Sequence, residues 1–453
     1  MWRRLVLELR VYSPTAILGY GFPDESLENA VKQEPDVIAV DAGSSDPGPY
    51  YLGSGKTLVP DESVVRDLER LLVAQKRLGV PLLIGSAGGA GAGVHVDHTL
   101  QLLDKAARRA GGKFRVKVLY SDLPTGFLEK VASEGRRVVD LGLGIDLRDA
   151  ASAGVGVAVA QNGVEPLIEA LRDEPDVVLA GRSVDVAPFA ALPWFRGFDR
   201  GLSVHMGKVL ECGAIAADPG SGADGLLGVL RSSEFLVKPL SDRRRTTVVS
   251  VAEHALYERS DPYREYVPGG YVDLTGVTYE EGEGGVVVRG SKWVPADRYM
   301  VKLEGARLAG HRYIVVAGAR DPGFISRLEE LYEEALRFAE QRVGGGFKAY
   351  LRMYGWNGVL GRSEPLGRGH EIGLVLEVVS RDKWRAEAAA GLIRSTLLHM
   401  GWPGRKTTAG NLAFPFSPSD IYAGEAYEWS LWHLVELRDP LEVSRMEEVV
   451  VGG

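Results

Sequence analysis

Cysteine is nearly absent from the sequence, since Cys212 is the one thiol among 453 residues. A single cysteine excludes an internal disulfide framework and any cysteine-rich zinc or iron–sulfur site. No apolar run reaches the roughly 18 residues that a membrane-spanning helix needs, so we expect no membrane partner. The net charge of -8 gives no general attraction to nucleic acid, and none is expected as a partner.

We expect no targeting signal at either end of the sequence. Charged residues, Glu8 and Arg10, soon follow Arg3 and Arg4, so the apolar stretch between them is too short for a signal peptide. The last residues contain no lipidation motif. We therefore expect a cytoplasmic protein.

Helical segments alternate with short β-branched runs up to about residue 190, which is typical of a parallel sheet wrapped by helices. A unit that reads helix, Glu-Pro-Asp turn and buried strand occurs twice, with strands at residues 35–41 and 175–180. Further strands are predicted at residues 81–84, 114–120, 137–140 and 155–160. We expect five or six of these strands to be parallel.

The pattern changes after that point. Alternating runs predict antiparallel strands at residues 270–279, 286–290, 299–303 and 313–317. Then come a helix from 322 to 342, strands at 347–354 and 371–379, and a helix at 382–400. The predicted fold class is α/β, with a mostly parallel sheet covered by helices on both faces, followed by α+β regions with antiparallel strands. The expected domains are 1–240, an α/β ligand-binding or catalytic domain; 241–320, an antiparallel β-rich region packed on it; and 321–453, an α+β C-terminal domain.

The richest polar cluster, residues 41–51, follows the first repeated strand. Ligands bind at the carboxyl ends of the strands in open parallel sheets. We predict Asp41 and Asp46 as acid–base or metal-binding groups and Ser44 and Ser45 as substrate-binding groups, although an Asp/Ser/Pro turn would use the same residue types. The equivalent edge of the second repeated strand carries Arg182 and Asp185, for which we also predict substrate binding. Arg182 would hold a carboxylate or phosphate, and a plain salt bridge to Asp185 or another acid is the alternative.

A glycine-rich loop, residues 85–93, lies between a buried strand and a helix. Backbone amides and the helix dipole can hold an anion in such a place. The loop does not match the dinucleotide-binding spacing. We predict that it binds the anionic end of a substrate through Gly88, Gly89, Gly91 and Gly93. A flexible crossover loop is the alternative.

Three polar side chains follow this loop: His95, Asp97 and His98. Imidazole and carboxylate groups suit a divalent metal or a general acid–base pair. We predict His95 as catalytic and the pair His95 and Asp97 as candidate metal ligands. Asp97 could instead be the N-cap of a helix that starts there.

A predicted helix over residues 205–217 places His205, Lys208 and Cys212 on one face. We predict that His205 and Glu211 are catalytic and close the pocket, and that Lys208 binds substrate. Cys212 is more typical of inert packing than of a nucleophile.

Several of these segments together resemble the acyclic terpene utilisation AtuA family. The resemblance rests on residues 13–23, 41–51, 85–93, 205–217, 256–258, 301–306, 318–322 and 411–420. It implies a role in the catabolism of acyclic terpenes such as citronellol, alongside coenzyme A thioester chemistry. It does not indicate which residues are catalytic. It also implies a small ferredoxin-like partner, which in some members is a separate chain.

Three functions remain open from the sequence. The first is an enzyme that acts on a carboxylate or acyl-CoA intermediate by proton transfer of the lyase, hydratase or isomerase kind, with coenzyme A as part of the substrate. The second is a hydrolase that depends on a divalent metal. The third is a non-catalytic subunit that binds acyl-CoA or a partner chain through residues 414–420. A homo-oligomer is expected on general grounds.

Overall fold

The computed structural model describes residues 8–282 and 284–453. Residues 1–7, on which part of the signal-peptide expectation rests, lie outside the described residues. The chain forms two compact units. The larger unit includes the residues up to Arg307 and also Trp429–Gly453, and the smaller unit is Leu308–Glu428.

The larger unit contains most of the helices. The described helices are α1 (Asp24–Lys32), α2 (Tyr50–Ser54), α3 (Asp61–Leu78), α4 (Gly93–Arg109), α5 (Phe127–Ser133), α6 (Leu147–Ala153), α7 (Glu165–Leu171), α8 (Ala187–Phe195), α9 (Arg200–Leu210), α10 (Val248–His254), α11 (Pro322–Val343) and α12 (Lys383–His399). No helix in the described part of the chain combines the length and the apolar character needed to cross a membrane.

The strands are also concentrated in the larger unit. The described strands are β1 (Leu9–Ser13), β2 (Val37–Asp41), β3 (Leu82–Gly85), β4 (Phe114–Tyr120), β5 (Val138–Asp140), β6 (Val157–Gln161), β7 (Val177–Ala180), β8 (Leu226–Leu230), β9 (Glu234–Pro239), β10 (Arg264–Val267), β11 (Gly270–Asp273), β12 (Thr278–Gly282), β13 (Gly285–Arg289), β14 (Lys292–Pro295), β15 (Tyr299–Ala319), β16 (Phe347–Tyr354), β17 (Ile372–Ser380), β18 (Asp420–Leu437) and β19 (Arg445–Val451).

A mixed sheet forms the centre of the larger unit, in the order β12-β13-β9-β8-β1-β2-β3-β7-β4-β19. The five neighbours β1, β2, β3, β7 and β4 are parallel. Antiparallel strands flank them on both sides, through β8 next to β1 and β19 next to β4. The predicted α/β class is therefore confirmed, and the sheet is mixed rather than mostly parallel.

Alternate residues of the parallel strands enter two apolar cores. Val37 and Ala39 of β2 pack with residues of α7, α8 and α9. Ile38 and Val40 pack with residues of α1, α3 and α4. Because both faces of these strands are buried, their side chains are apolar at successive positions.

Two predicted strands form but do not join the parallel sheet. β5 pairs with β18, and β6 pairs with β15, both antiparallel. The physical reason is that β7 pairs directly with β4, which leaves no place between them. Two of the three residues of β5 are exposed, which does not suit a strand buried on both faces.

The predicted repeat has the same geometry in both copies. In each Glu-Pro-Asp turn the glutamate has φ of 48°. The Asp36 carboxylate accepts a hydrogen bond from the Arg10 amide at 2.9 Å, and the Asp176 carboxylate accepts one from the Arg115 amide at 2.7 Å. Each aspartate therefore fastens the start of its strand to the strand beside it.

The smaller unit contains an antiparallel sheet segment in the order β16-β17-β15, with α11 and α12 packed on it. The bounds of α11, β16, β17 and α12 lie within one residue of the sequence-based expectations. The last segment returns to the larger unit because β19 pairs with β4, whereas the sequence analysis placed it in a domain 321–453.

Replacing Asp36 by alanine should lower the free energy of unfolding by about 1 kcal/mol, because the half-buried Arg10 amide loses its acceptor. Asp36→Asn keeps an acceptor oxygen and is the matched control, with a smaller expected loss. Urea unfolding of the three proteins measures both changes. Equal losses in the two variants would mean that this hydrogen bond does not stabilise the turn.

Candidate functional site

Polar residues follow the carboxyl ends of neighbouring parallel strands in the larger unit. Asp41 ends β2, Ser86 comes directly after β3, and residues 181–185 follow β7. Ser86 has φ of 45°, a backbone conformation that is uncommon for a residue with a side chain. Such strain is found most often at functional sites.

Arg182 lies at the centre of this edge, and its side chain is 3% exposed. Nε is 3.1 Å from Oε2 of Glu304, and Nη2 is 3.2 Å from Oγ of Ser45. Nη1 is 3.2 Å from Oγ of Ser86 and 3.3 Å from Oδ1 of Asp185. One guanidinium therefore connects the segments that follow β2, β3 and β7.

The predicted role of Arg182 as a clamp for a substrate anion is corrected by these contacts. Each guanidinium nitrogen is already hydrogen-bonded within the protein. The alternative account, a salt bridge, applies, with Glu304 as a buried partner and Asp185 as a second acid. Arg182 supports the site from within.

Glu304 keeps its negative charge although its side chain is 1% exposed. Burial would raise the pKa of Glu304, but the charges of Arg182 and Lys302 outweigh it and lower this pKa to about 2. Nζ of Lys302 is 2.8 Å from Oε1 of Glu304 and 3.4 Å from the ring centre of Trp432. Sequence reasoning missed Glu304, although a glutamate inside an apolar strand pattern was a usable signal.

Asp41 is buried at the end of β2, and its Oδ1 accepts a hydrogen bond from the Ala42 amide at 2.9 Å. Its pKa is raised well above the ordinary value, first by burial and then by the charge of Asp185. These effects outweigh the favourable charge of Arg182. Asp41 and Glu304 are therefore two carboxyls near one guanidinium whose pKa values are shifted in opposite directions.

A second acid–base pair lies where α9 ends. Nζ of Lys208 donates to Oε1 of Glu211, and both side chains are buried. Burial raises the pKa of Glu211 well above its ordinary value, and the charge of Asp185 raises it further. The positive charge of Lys208 opposes this shift but does not outweigh it. The charge of Asp185 thus raises the pKa values of both Asp41 and Glu211.

The hydrogen-bond partners of His205 are different residues. Its Nδ1 is 2.8 Å from Oγ of Ser291, and its Nε2 is 3.2 Å from the hydroxyl of Tyr279. Burial, together with the charge of Arg259, lowers the pKa of His205 to about 3. The structure therefore places His205 as a neutral, hydrogen-bonded histidine. The predicted helix ends at Leu210, so Glu211 and Cys212 lie just beyond it.

His95 is a buried residue of α4. Its Nε2 lies 3.1 Å from the carbonyl oxygens of Tyr51 and of Lys56. Burial lowers the pKa of His95, so the neutral ring with Nε2 as the donor satisfies both carbonyls. These hydrogen bonds hold the segment around α2 in place. Both described partners of Nε2 are backbone carbonyls and not acidic side chains.

The candidate metal ligands are not brought together. Asp97 accepts a hydrogen bond from the Tyr120 hydroxyl at 2.7 Å, and His98 pairs with Asp61 at 2.9 Å. The predicted N-cap was misplaced, because α4 begins four residues earlier, at Gly93, and side chains two positions apart on a helix, such as His95 and Asp97, point in different directions. In residues 8–282 and 284–453, no group of three or more His, Cys, Asp or Glu side chains is arranged to hold a metal.

The glycine-rich loop is used for close packing. The amides of Gly89 and Gly91 donate to the carbonyls of Ser86 and Ala87, and the Gly93 amide donates to Asp122 at 2.9 Å. A Cβ at Gly91 would lie 2.2 Å from the backbone nitrogen of Arg182, so only glycine fits. These three amides are occupied, which corrects the predicted anion-binding role. A Cβ at Gly88 would lie 2.9 Å from the Cβ of His95, so glycine is favoured at this position too.

Ser44 and Asp46 form the outer turn of the segment after β2. The Asp46 amide donates to Oγ of Ser44 at 3.1 Å, as in the Asp/Ser/Pro turn that was the alternative account. Asp46 is exposed, and its charge adds to the raised pKa of Tyr257, whose main cause is the hydrogen bond with Glu258. Asp46 therefore lies at the solvent side of the cluster, whereas Ser45 lies inside it.

Most residues of the candidate site lie in one segment of the chain that matches a protein-family model. Residues 24–221 match the family model of acyclic terpene utilisation family protein AtuA. The resemblance is confirmed for this segment, which holds Asp41, Ser86, Arg182, Asp185 and Glu211. The AtuA match does not extend to residues 301–306, in β15. No curated protein and no solved structure matches the chain.

Glu304→Gln should lower the free energy of unfolding by about 3–5 kcal/mol at neutral pH, because it leaves Arg182 buried without its main counter-charge. Since the pKa of Glu304 is depressed, its contribution is present above the ordinary value of 4.5 and is lost as the pH falls toward about 2. The difference between the variant and the wild type should shrink over that range.

Glu28→Gln is the matched control, because Glu28 forms a salt bridge with Arg77 in which both side chains are more than half exposed. Its expected effect is below about 1 kcal/mol. Urea unfolding as a function of pH measures both variants. A loss in Glu304→Gln no larger than in the control would contradict the supporting role of the buried pair.

Proposed function

We propose that this protein is an enzyme that transfers a proton on a carboxylate or acyl thioester substrate. The site is the edge of the larger unit where Asp41, Asp185 and Glu211 meet the carboxyl ends of the parallel strands. This edge is where open α/β sheets bind their ligands. The choice of an acid or thioester rests on the resemblance to the AtuA family, which implies coenzyme A thioester chemistry; the matched family model itself names acyclic terpene utilisation.

One observation carries the proposal: acids in one cluster have pKa values shifted in opposite directions. The pKa values of Asp41 and Glu211 are raised by burial, whereas the pKa of Glu304 is lowered to about 2. Environments that separate the pKa values of neighbouring groups assign acid and base roles. The raised pKa values make Asp41 and Glu211 the candidates for the proton donor, whereas Glu304 is the counter-charge of Arg182.

Asp185 is the acid that a substrate can reach. Its side chain is 32% exposed, and Nη1 of Arg182 holds it from behind at 3.3 Å. We assign Asp185 as the base that removes a proton next to a carbonyl. Asp41 is the buried acid that retains a proton. Arg182 and Glu304 are positioning residues.

The metal-dependent hydrolase hypothesis has no specific observation in its favour, because His95 and Asp97 face different partners. The non-catalytic binding hypothesis is tested by the same measurement of proton exchange as the proposed function. It requires ligand binding without proton exchange.

Asp185→Asn should abolish exchange of the α-protons of the substrate with deuterated solvent, with a loss of at least about 100-fold. Proton NMR can follow this exchange for a panel of short and branched acyl-CoA thioesters and their free acids. Asp24→Asn, an exposed acid on α1, is the control and should exchange like the wild type. Binding without exchange in the wild type would favour the non-catalytic hypothesis.

Asp41→Asn should also abolish exchange but should raise the melting temperature by on the order of 2 °C. The pKa of Asp41 is raised, so its burial destabilises the fold increasingly as the pH rises above the ordinary value of 3.8. Asparagine removes that cost and keeps an acceptor for the Ala42 amide. A scan of melting temperature against pH measures the change, and a large loss of stability would mean that Asp41 serves the fold.

A further inference from the structure

Two buried polar atoms near the end of α9 are unpartnered. Within the described residues, Oε2 of Glu211 and Nε2 of His254 have no hydrogen-bond partner. Both residues are 4% exposed. Buried polar atoms without partners destabilise a fold, so two in one cluster call for a functional explanation.

The two residues belong to one cluster with Lys208 and Tyr257. Nζ of Lys208 donates to Oε1 of Glu211 and lies 5.8 Å from the ring centre of Tyr257. The ring of His254 stacks on the same Tyr257 ring, with centres 5.5 Å apart. Lys208 and His254 therefore meet at one aromatic ring, and Glu211 lies beside Lys208.

We propose that Lys208, Glu211 and His254 together bind the carbonyl or carboxylate oxygen of the ligand. The identity of that ligand rests on the proposed function. The oxygen would accept hydrogen bonds from Glu211 and His254 and would face the positive charge of Lys208. Tyr257, at 45% exposed, forms the solvent side of this oxygen-binding site.

The protonation states suit such an acceptor. Burial raises the pKa of Glu211, which favours the protonated carboxyl, and the charges of Asp185 and Glu265 add to this effect against that of Lys208. Burial and Lys208 lower the pKa of His254 to about 4, so its ring is neutral. A protonated carboxyl can donate a hydrogen bond that a carboxylate cannot.

The site would complete the chemistry of Asp185. When Asp185 takes the α-proton, the C–H electron pair forms a carbon–carbon double bond, and the carbonyl π electrons move to the oxygen. The oxygen gains the negative charge that Lys208, Glu211 and His254 stabilise. Donors aimed at such a developing charge are often the largest contribution to catalysis. No further reactant is required.

Binding of two probes tests the proposal without turnover: carbon-13-labelled acetate by NMR, and acetyl-CoA by calorimetry. Glu211→Ala should weaken binding of the accepted probe by about 10-fold or more. Glu211→Gln, which keeps a donor of the same shape, should stay within about threefold of the wild type. His254→Phe, which keeps a ring on Tyr257, should weaken binding by about 10-fold.

The pH dependence gives an independent readout. Wild-type affinity should fall as the pH rises and Glu211 loses its proton, and Glu211→Gln should lack that fall. Glu253→Ala, an exposed acid one residue before His254, is the matched control and should bind like the wild type. Preference for acetate would identify a free carboxylate as the ligand, and preference for acetyl-CoA would identify a thioester carbonyl.

Three results would overturn the proposal: neither probe binds the wild type, Glu211→Ala binds as well as the wild type, or folded Glu211→Gln binds as weakly as Glu211→Ala. The last would mean that the carboxylate is the working form. Binding that depends on Glu211 without any α-proton exchange would instead contradict the proposed function and leave the oxygen-binding site standing.

Discussion

The burial of one guanidinium constrains the rest of the candidate site. Arg182 cannot lose its charge, and removing it from water costs several kcal/mol unless its donors are satisfied. Ser45, Ser86 and Asp185 supply acceptors from the segments after three neighbouring strands, and Glu304 supplies a charge from β15. The positions of these loops follow from the need to satisfy Arg182, which also explains why glycine is required where Gly91 touches its backbone.

The same constraint separates the acids into two kinds. Glu304 has two cations within hydrogen-bond distance and stays ionised. Asp41 is buried without a salt bridge of its own, and Asp185 adds a repulsive charge. Its least costly state is therefore the protonated one. The difference between the two acids thus comes from their unequal contact with Arg182 and Lys302 and not from any unusual residue type.

Local patterns made part of this structure predictable. The Glu-Pro-Asp repeat located β2 and β7, and the rule for carboxyl ends of parallel strands then located Asp41, Ser45, Arg182 and Asp185. The bounds of α11, β16, β17 and α12 followed from strong periodicity and clear turns.

The remaining features depend on contacts that no local pattern contains. Glu304 is 122 residues from Arg182 in the chain, and the pairing of β6 with β15 brings it to the site. An error of four residues in the start of α4 was enough to align His95 with Asp97 incorrectly, because side chains on a helix diverge at that spacing. The glycine-rich loop was misread because the sequence does not reveal which amides are already occupied.

The protonation of Asp41 at neutral pH is the central claim and can be measured directly. Infrared difference spectra between the wild type and Asp41→Asn should contain a protonated-carboxyl band at pH 7 that the variant lacks. The same comparison with Glu304→Gln should contain only a carboxylate band. A carboxylate band for Asp41 at pH 7 would contradict the account, because Asp41 would then not be the buried acid that retains a proton.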